Sequence, residues 1–392
     1  MSGVQEAKLG DLVKPVRTWN PRRSGKGAWF EYIDLSSIDQ DGKVISAVHH
    51  VRSAEAPSRA RQLVAAGDVL VSTVRPNLNG VAIVPEGLDG ATASTGFCVL
   101  RGRPDSLDNR FLFHWVRSPR FVDALVRGAT GASYPAVTDG FVLGTTLPLP
   151  ALPEQRRIAD ILDRADALRS ARRSGIVLLP QLVIAAFGTH FTPSELAERV
   201  PLARAFAIPP NYGTMIPPAE TGGFLSLRVK NIQNASLDLS DTKYVDLPSK
   251  DRRRHSVEDG DLLMARAIGS LEHLGKCVVI YPGAAGWAFD SHLMRIRLDR
   301  KVMLPEYLRV WLLTPGGRAA FLRIVHRSAV QHNVNTKEIA AFLVPMPPIV
   351  KQQAFVDHLR AIEGEERMMA SSLAHLDGLF GSLQYRAFAG EL

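Results

Sequence analysis

The 392-residue chain has only two cysteines, no long apolar run and none of the short motifs that announce catalysis. Each absence excludes something. Cys98 and Cys277 both stand beside valine, in FCVL and KCVVI. That setting predicts small buried apolar residues rather than a disulfide or a metal pair. No run of 18 or more apolar residues occurs, so no membrane span is expected. The opening stretch, Met1 to Glu6, lacks a basic-then-apolar order, so no secretory leader is expected and the cytoplasm is the expected compartment.

Catalytic signatures are missing too. No Gly-x-Gly-x-x-Gly loop follows a strand-like run. GSLEHLGKC (Gly269 to Cys277) resembles a phosphate loop, but its spacing is wrong and it ends in cysteine where serine or threonine is required. PPNY (Pro209 to Tyr212) holds the letters of the Asn-Pro-Pro-Tyr motif of adenine methyltransferases in the wrong order. No Cys-x-x-Cys or His-Glu-x-x-His pattern exists, and His49-His50 is an isolated pair that reads as part of a solvated loop. The chain is therefore expected to be no enzyme and to bind neither cofactor nor metal.

What is present starts with charge. The net charge of +8 suits a polyanionic partner, because each phosphate neutralised by Lys or Arg releases counterions. The length suits two domains or more, and 46% hydrophobic content is ordinary for a globular protein.

The chain also repeats itself. FLFHWVRSPRF (Phe111 to Phe121) aligns with YLRVWLLTPGG (Tyr307 to Gly317), setting Trp115 on Trp311. LPLPALPEQ (Leu147 to Gln155) aligns with VPMPPIVKQ (Val344 to Gln352), and LLPQLVIAAFGTHF (Leu178 to Phe191) with LFGSLQYRAFAGEL (Leu379 to Leu392). Upstream, GDVLVSTVR pairs with GDLLMARA, GVAIVP with KCVVIYP, and STGFCVLR with SHLMRIRL. Several matches in the same order exclude chance.

In each copy the β-branched runs bounded by glycine and proline predict short strands, followed by a helix holding Trp115 or Trp311. Prolines then open a long helix. The second carries a heptad seam at Gln352, Phe355, Leu359, Ile362, Glu366, Met369, Leu373, Leu376, Phe380, Leu383 and Ala387. The first carries Gln155, Ile158, Leu162, Ala165, Arg169, Arg172, Ile176, Leu179, Val183 and Ala186. Gly175 and Pro180 disfavour that helix by about 1 and 3 kcal/mol and predict a kink or break between them. The expected fold is α+β. It has two α/β recognition domains (1–150 and 192–348) and two long antiparallel coiled-coil spacer helices (151–191 and 349–392), a pseudo-twofold tandem repeat. Each helix would span about 50 to 60 Å.

These strings carry a specific resemblance. LPLPALPEQRRIADILDRADAL (Leu147 to Leu168), the terminal LFGSLQYRAFAGEL and the paired Gly-Asp strands resemble the specificity-subunit family of type I restriction-modification systems. The departure is IVKQQAF (Ile349 to Phe355), which keeps only Gln352 of the LPEQRRI head and leaves the equivalence of the two partner-binding surfaces open. The resemblance implies two target recognition domains, each reading one half of a split double-stranded DNA sequence. It implies spacers that dock two methyltransferase subunits and, through them, a motor nuclease. S-adenosylmethionine and ATP would then sit on those partners. A specificity-like subunit of another phage-defence or methyltransferase-only system, and a coiled-coil scaffold whose domains bind protein, remain as alternatives.

Base reading needs donors and acceptors on loops at the mouth of a sheet. In the first domain the candidates are Arg75, Asn77, Asn79, Ser94, Thr95, Ser133 and Tyr134. In the second the matching loops offer Arg266, Ser270, His273, Ser291, His292, Gln331, His332 and Asn333. KDRRRH (Lys250 to His255) is a basic run that suits phosphate or open solvent equally.

Overall fold

A computed structural model gives the fold and describes residues 5–24, 27–131, 133–233, 236–327 and 331–392. The chain forms two compact units. One comprises Met1–Gly175 with Met369–Leu392, the other Ile176–Met368.

The first unit holds two four-stranded sheets. One runs Val13–Lys14, Phe97–Gly102, Val69–Ser72, Val81–Ile83, and all its pairings are antiparallel. The other runs His49–Arg52, Trp29–Ile33, Thr92–Ser94, Ala60–Leu63, with a parallel pairing between Trp29–Ile33 and Thr92–Ser94. His49 and His50 thus lie on an edge strand and not in a loop. The β-branched side chains of the first sheet bury one face under the helix Asn109–Val116, whose Phe111, Leu112, Trp115 and Val116 complete the core. The second face and the second sheet enclose a smaller core around Ile33, Leu70, Ala93 and Phe97.

The second unit repeats this plan with one strand fewer in its second sheet. Its first sheet runs Phe206–Tyr212, Leu293–Leu298, Leu262–Ala265, Cys277–Val279, and its second Lys243–Val245, Phe224–Leu227, Ala288–Phe289, again with one parallel pairing. The helix Pro305–Leu313 takes the covering role. The ladders correct one alignment. Leu100 pairs with Val69, and Ile296 pairs with Leu262. Phe97 therefore matches Leu293, and STGFCVLR matches the second copy one residue earlier than the letters suggest. Cys98 and Cys277 are both free and buried in these sheets.

The long helices run Leu152–His190 and Ile349–Ala389. In the first unit, residues 152–175 lie antiparallel to 369–389. Arg169 bonds Asp377 at 2.6 Å, Arg157 reaches the Leu392 carbonyl at 2.7 Å, and Phe388 packs on Phe111 and Trp115. In the second unit Phe187 packs on Tyr307 and Phe355, and Lys351 pairs with Glu195, again antiparallel. Each unit is thus closed by the start of one long helix and the end of the other. The first helix runs unbroken through Gly175 and Pro180, so of the kink or break expected from propensity the break does not occur. Ile158, Leu162 and Ala165 anchor it on one side, and Leu179, Ala186 and Phe187 on the other. That packing outweighs the local cost, as tertiary contacts commonly do for helices.

Candidate nucleic-acid interface

Both units hang their loops from the same buried clamp. Gly67 and Gly260 adopt φ of 83° and 81°, a conformation that glycine takes without penalty. The following aspartates, Asp68 and Asp261, are buried. Asp68 accepts from Ala65 N at 2.8 Å and from Arg101 Nε and Nη2 at 2.8 and 2.7 Å. Asp261 accepts from Glu258 N at 2.7 Å and from Arg297 Nε and Nη2 at 2.7 and 2.8 Å. The hydrogen bond to the carboxylate raises each guanidinium above its ordinary pKa. This explains the paired Gly-Asp strings: they fix where each central strand starts, and so where its loop emerges.

In the first unit three loops meet beyond that strand. Thr73 N and Oγ1 both donate to Gly96 O at 2.9 Å, Val137 N donates to Thr73 O at 2.9 Å, and Arg75 N donates to Pro135 O at 2.7 Å. The stitching gathers Arg75, Asn77, Thr95, Ser133 and Tyr134 in exposed positions. The Arg75 guanidinium lies over the Tyr134 ring at 4.8 Å. Two candidates face inward instead. Ser94 is buried, and its hydroxyl accepts from Gly96 N at 3.1 Å. Asn79 is half-buried and turns its amide towards Arg117 O at 3.4 Å.

In the second unit the same stitching recurs. Arg266 N donates to His292 O at 2.8 Å and Val334 N to Arg266 O at 3.0 Å. By these bonds Arg266 occupies the place of Thr73, and Arg75 corresponds to Ile268, so the two arginines are not counterparts. Arg266 is half-buried. It lies over the Tyr212 ring at 4.3 Å and donates to Ser291 O at 3.1 Å and Val334 O at 3.4 Å. The strand Ala267–Ile268 pairs with His332–Asn333, bringing His332 and Asn333 beside it, both half-buried. Ser270, His292 and Gln331 are exposed, while Ser291 and His273 are half-buried. Nδ1 of His273 and of His332 is buried without a partner. Asp290, whose carboxyl is pushed up by burial, accepts from His292 N at 3.0 Å.

The sequence singled out the basic run, but not Tyr212 as a flat face nor Trp29 and Arg52. The basic run forms the helix Ser249–His255, with Arg252, Arg253 and Arg254 exposed. Asn211 Nδ2 donates to Arg254 O at 2.7 Å, and His255 Nδ1 lies 3.2 Å from Tyr212 O, which ties this helix to the ring beneath Arg266. Tyr212 lies within the discounted PPNY string; its value is a flat face, not methyl-transfer chemistry. In the first unit Trp29 is 52% exposed and stacks on His50 at 4.9 Å, with Arg52 at 5.0 Å from its ring. Cross-strand pairing brings these three together across some twenty residues of sequence, which no local pattern reports. Amides, hydroxyls, imidazoles and guanidinia on stitched loops can donate and accept at groove edges. Among the described residues no group of three or more His, Cys, Asp or Glu could hold a metal ion.

Residues 54–176 match the family model described as Type I restriction modification DNA specificity domain. Over 312 residues the chain is 25% identical to the type I restriction enzyme EcoKI specificity subunit of Escherichia coli (strain K12), covering 74% of this chain and 67% of that one. It is 22% identical over 315 residues to the StySPI specificity subunit of Salmonella potsdam, with the same coverage of each. Among solved structures, it shares its fold with a chain from work on complex assembly and conformational transition of the type I R-M system. There the TM-score is 0.64 at 24% identity, covering 100% of this chain and 99% of that one. The S subunit of the type I system of M. genitalium has the same fold at 13% identity, with a TM-score of 0.56 and coverage of 98% and 96%.

Proposed function

We infer that this chain is the DNA-recognition subunit of a type I restriction-modification complex. The carrying observation is a duplicated frame with unlike loop tips. The order of the central sheet, the Gly-Asp clamp and the loop stitching agree between the units, whereas the loops carry Arg75, Asn77, Thr95 and Tyr134 in one unit and Ser270, His292, Gln331 and Asn333 in the other. Such a pair suits two different words of one split double-stranded target. Net charge of +8 supplies the attraction to phosphate that precedes reading.

The chain contributes recognition and no catalysis. The two long helices act as the spacer between the words and as the docking ground for two methyltransferase subunits, which bring S-adenosylmethionine and methylate adenine. A motor nuclease carrying ATP joins through them. The compartment is the cytoplasm of a prokaryote; among the described residues no helix is long and apolar enough to cross a membrane.

The test is co-expression with the methyltransferase subunit, copurification, and methylome sequencing of a host with and without this gene. A split adenine-methylated motif that appears only with the gene is the expected result. Copurification without any such motif, and with no salt-dependent DNA binding, refutes DNA recognition and leaves a protein-binding scaffold.

A further inference from the structure

We propose that Lys43 is a positioning residue that braces the loop 75–79 for base reading; this rests on the reading of the first unit as a DNA-recognition domain. Three non-glycine residues among those described have a left-handed backbone: Lys43 at φ 55°, Arg75 at 50° and Asn79 at 46°. L-residues avoid that region, and such strain persists only where the surroundings enforce it. Here the three belong to one assembly.

Lys43 sits at the tip of the hairpin between Ile38–Asp39 and Val44–Ile45. Its ammonium donates to the Asn79 carbonyl at 2.6 Å. The tip is itself fixed. Asp39 Oδ1 accepts from Asp41 N and Gly42 N at 2.9 and 3.1 Å, and Asp41 O accepts from Arg173 of the long helix at 3.4 Å. The loop is therefore gripped at both ends, at Arg75 N by the Pro135 carbonyl and at Asn79 by Lys43 and the Arg117 carbonyl. Between the grips, Arg75 and Asn77 face solvent.

The second unit shows what the brace replaces. The strand ladders put Gly275 in register with Asn79, and Gly275 takes φ 80°. A Cβ there would lie 2.5 Å from the Phe321 ring. Glycine holds that conformation freely, whereas asparagine needs partners. Lys43 is half-buried, faces Arg117 and Arg173 as well as Asp39 and Asp41, and has its ammonium pulled down to about 8, chiefly by burial. A lysine serving as a solvent-facing phosphate contact would not carry that cost.

The experiment uses the full chain in complex with its methyltransferase subunits. The probes are duplexes bearing the split motif found methylated in vivo, with either half scrambled in turn, over a range of salt. K43M is expected to lose about tenfold or more of the discrimination at one half, the scale of one well-placed base contact. It should keep discrimination at the other half and the wild-type salt slope. K43R, which keeps a donor, should recover part of the loss. K43Q substitutes for K43M if that variant does not fold, with the same expectations. Wild-type discrimination in K43M overturns the proposal. So does a slope smaller by about one phosphate with equal loss on every duplex, because Lys43 would then be a DNA contact. A wild-type complex that discriminates at neither half overturns the recognition reading beneath it.

Discussion

Replacing Gln352 by alanine should destabilise the second unit by about 3 kcal/mol or more, although this glutamine stands in the motif that resembles a partner-docking head. Gln352 is 0% exposed. Its Oε1 accepts from Leu304 N at 2.9 Å, and its Nε2 donates to Val302 O at 3.1 Å and Pro347 O at 2.8 Å. Three hydrogen bonds at about 1 kcal/mol each set the floor, and a buried Leu304 N–H left without a partner raises it. Gln155 repeats the arrangement, with Asp108 N, Ser106 O and Pro150 O all at 2.9 Å. Each glutamine ties the first turn of a long helix to the loop that enters the tryptophan-bearing helix. Urea unfolding followed by tryptophan fluorescence would read the loss. With m near 3 kcal/mol per molar, the midpoint of the affected unit should fall by about 1 M. Q155A should move the transition of the first unit and Q352A that of the second. A shift below about 0.3 M in both variants, together with a loss of methyltransferase binding, would refute the structural role and restore the docking one.

The other expectations follow from burial and charge. R75A should weaken recognition of one half-site alone, whereas R266A should also lower the melting temperature, because its guanidinium is held by Tyr212, Ser291 and Val334; an unchanged melting temperature contradicts that placement. R253A and R254A on the exposed basic helix should each reduce the slope of log K against log salt by about one, without changing base preference, and a constant slope removes the helix from the DNA path. A heptad inserted in the 355–387 stripe should change the separation of the half-sites or block assembly, as read by methylome sequencing; an unchanged target ends the spacer reading. Cys98 and Cys277, whose thiols burial pushes up to about 12, should resist a thiol reagent in the native chain and react in urea; rapid labelling of the folded protein would show either site to be open.

Helical periodicity was legible because it is local. Every seam position named in either stripe is buried or half-buried, including Arg169, which packs its guanidinium 4.2 Å from the Phe380 ring. The strands that line the central sheets were legible from β-branched runs for the same reason. The second sheet of each unit was not. Its strands are two to five residues long, mix aromatic with polar residues, and pair across distant segments such as Tyr32 with Thr92. Loop positions could be found from the sequence, but side-chain direction could not, since it depends on which carbonyl lies opposite. Ser94 and Asn79 turn inward for that reason. The departure at the second helix head follows burial as well. Gln352 survives in both copies because it is buried and bonded, and the positions around it differ because most of them face outward.

The likeness of the two units also has a limit set by charge. Arg110 on the helix Asn109–Val116 bonds Asp160 and Asp163 of the first long helix at 2.8 and 2.9 Å. At the matching places in the second unit stand Glu306 and Arg360, bonded at 3.0 Å with the signs reversed. Arg110 and its two aspartates are all partly exposed, so that pair adds about 1 kcal/mol or less to stability, whereas Glu306 is buried beneath Arg360. The effect of these contacts on pairing is larger than that figure suggests. If the two helix starts exchanged places, Arg110 would face Arg360, and the buried Glu306 would face Asp163. One favourable contact in each unit would become a repulsion, and the carboxylate of Glu306 would be left buried without a cation. The glutamine clamp and the aromatic seats are alike in both copies and cannot tell the two helices apart. This inverted pair differs between them.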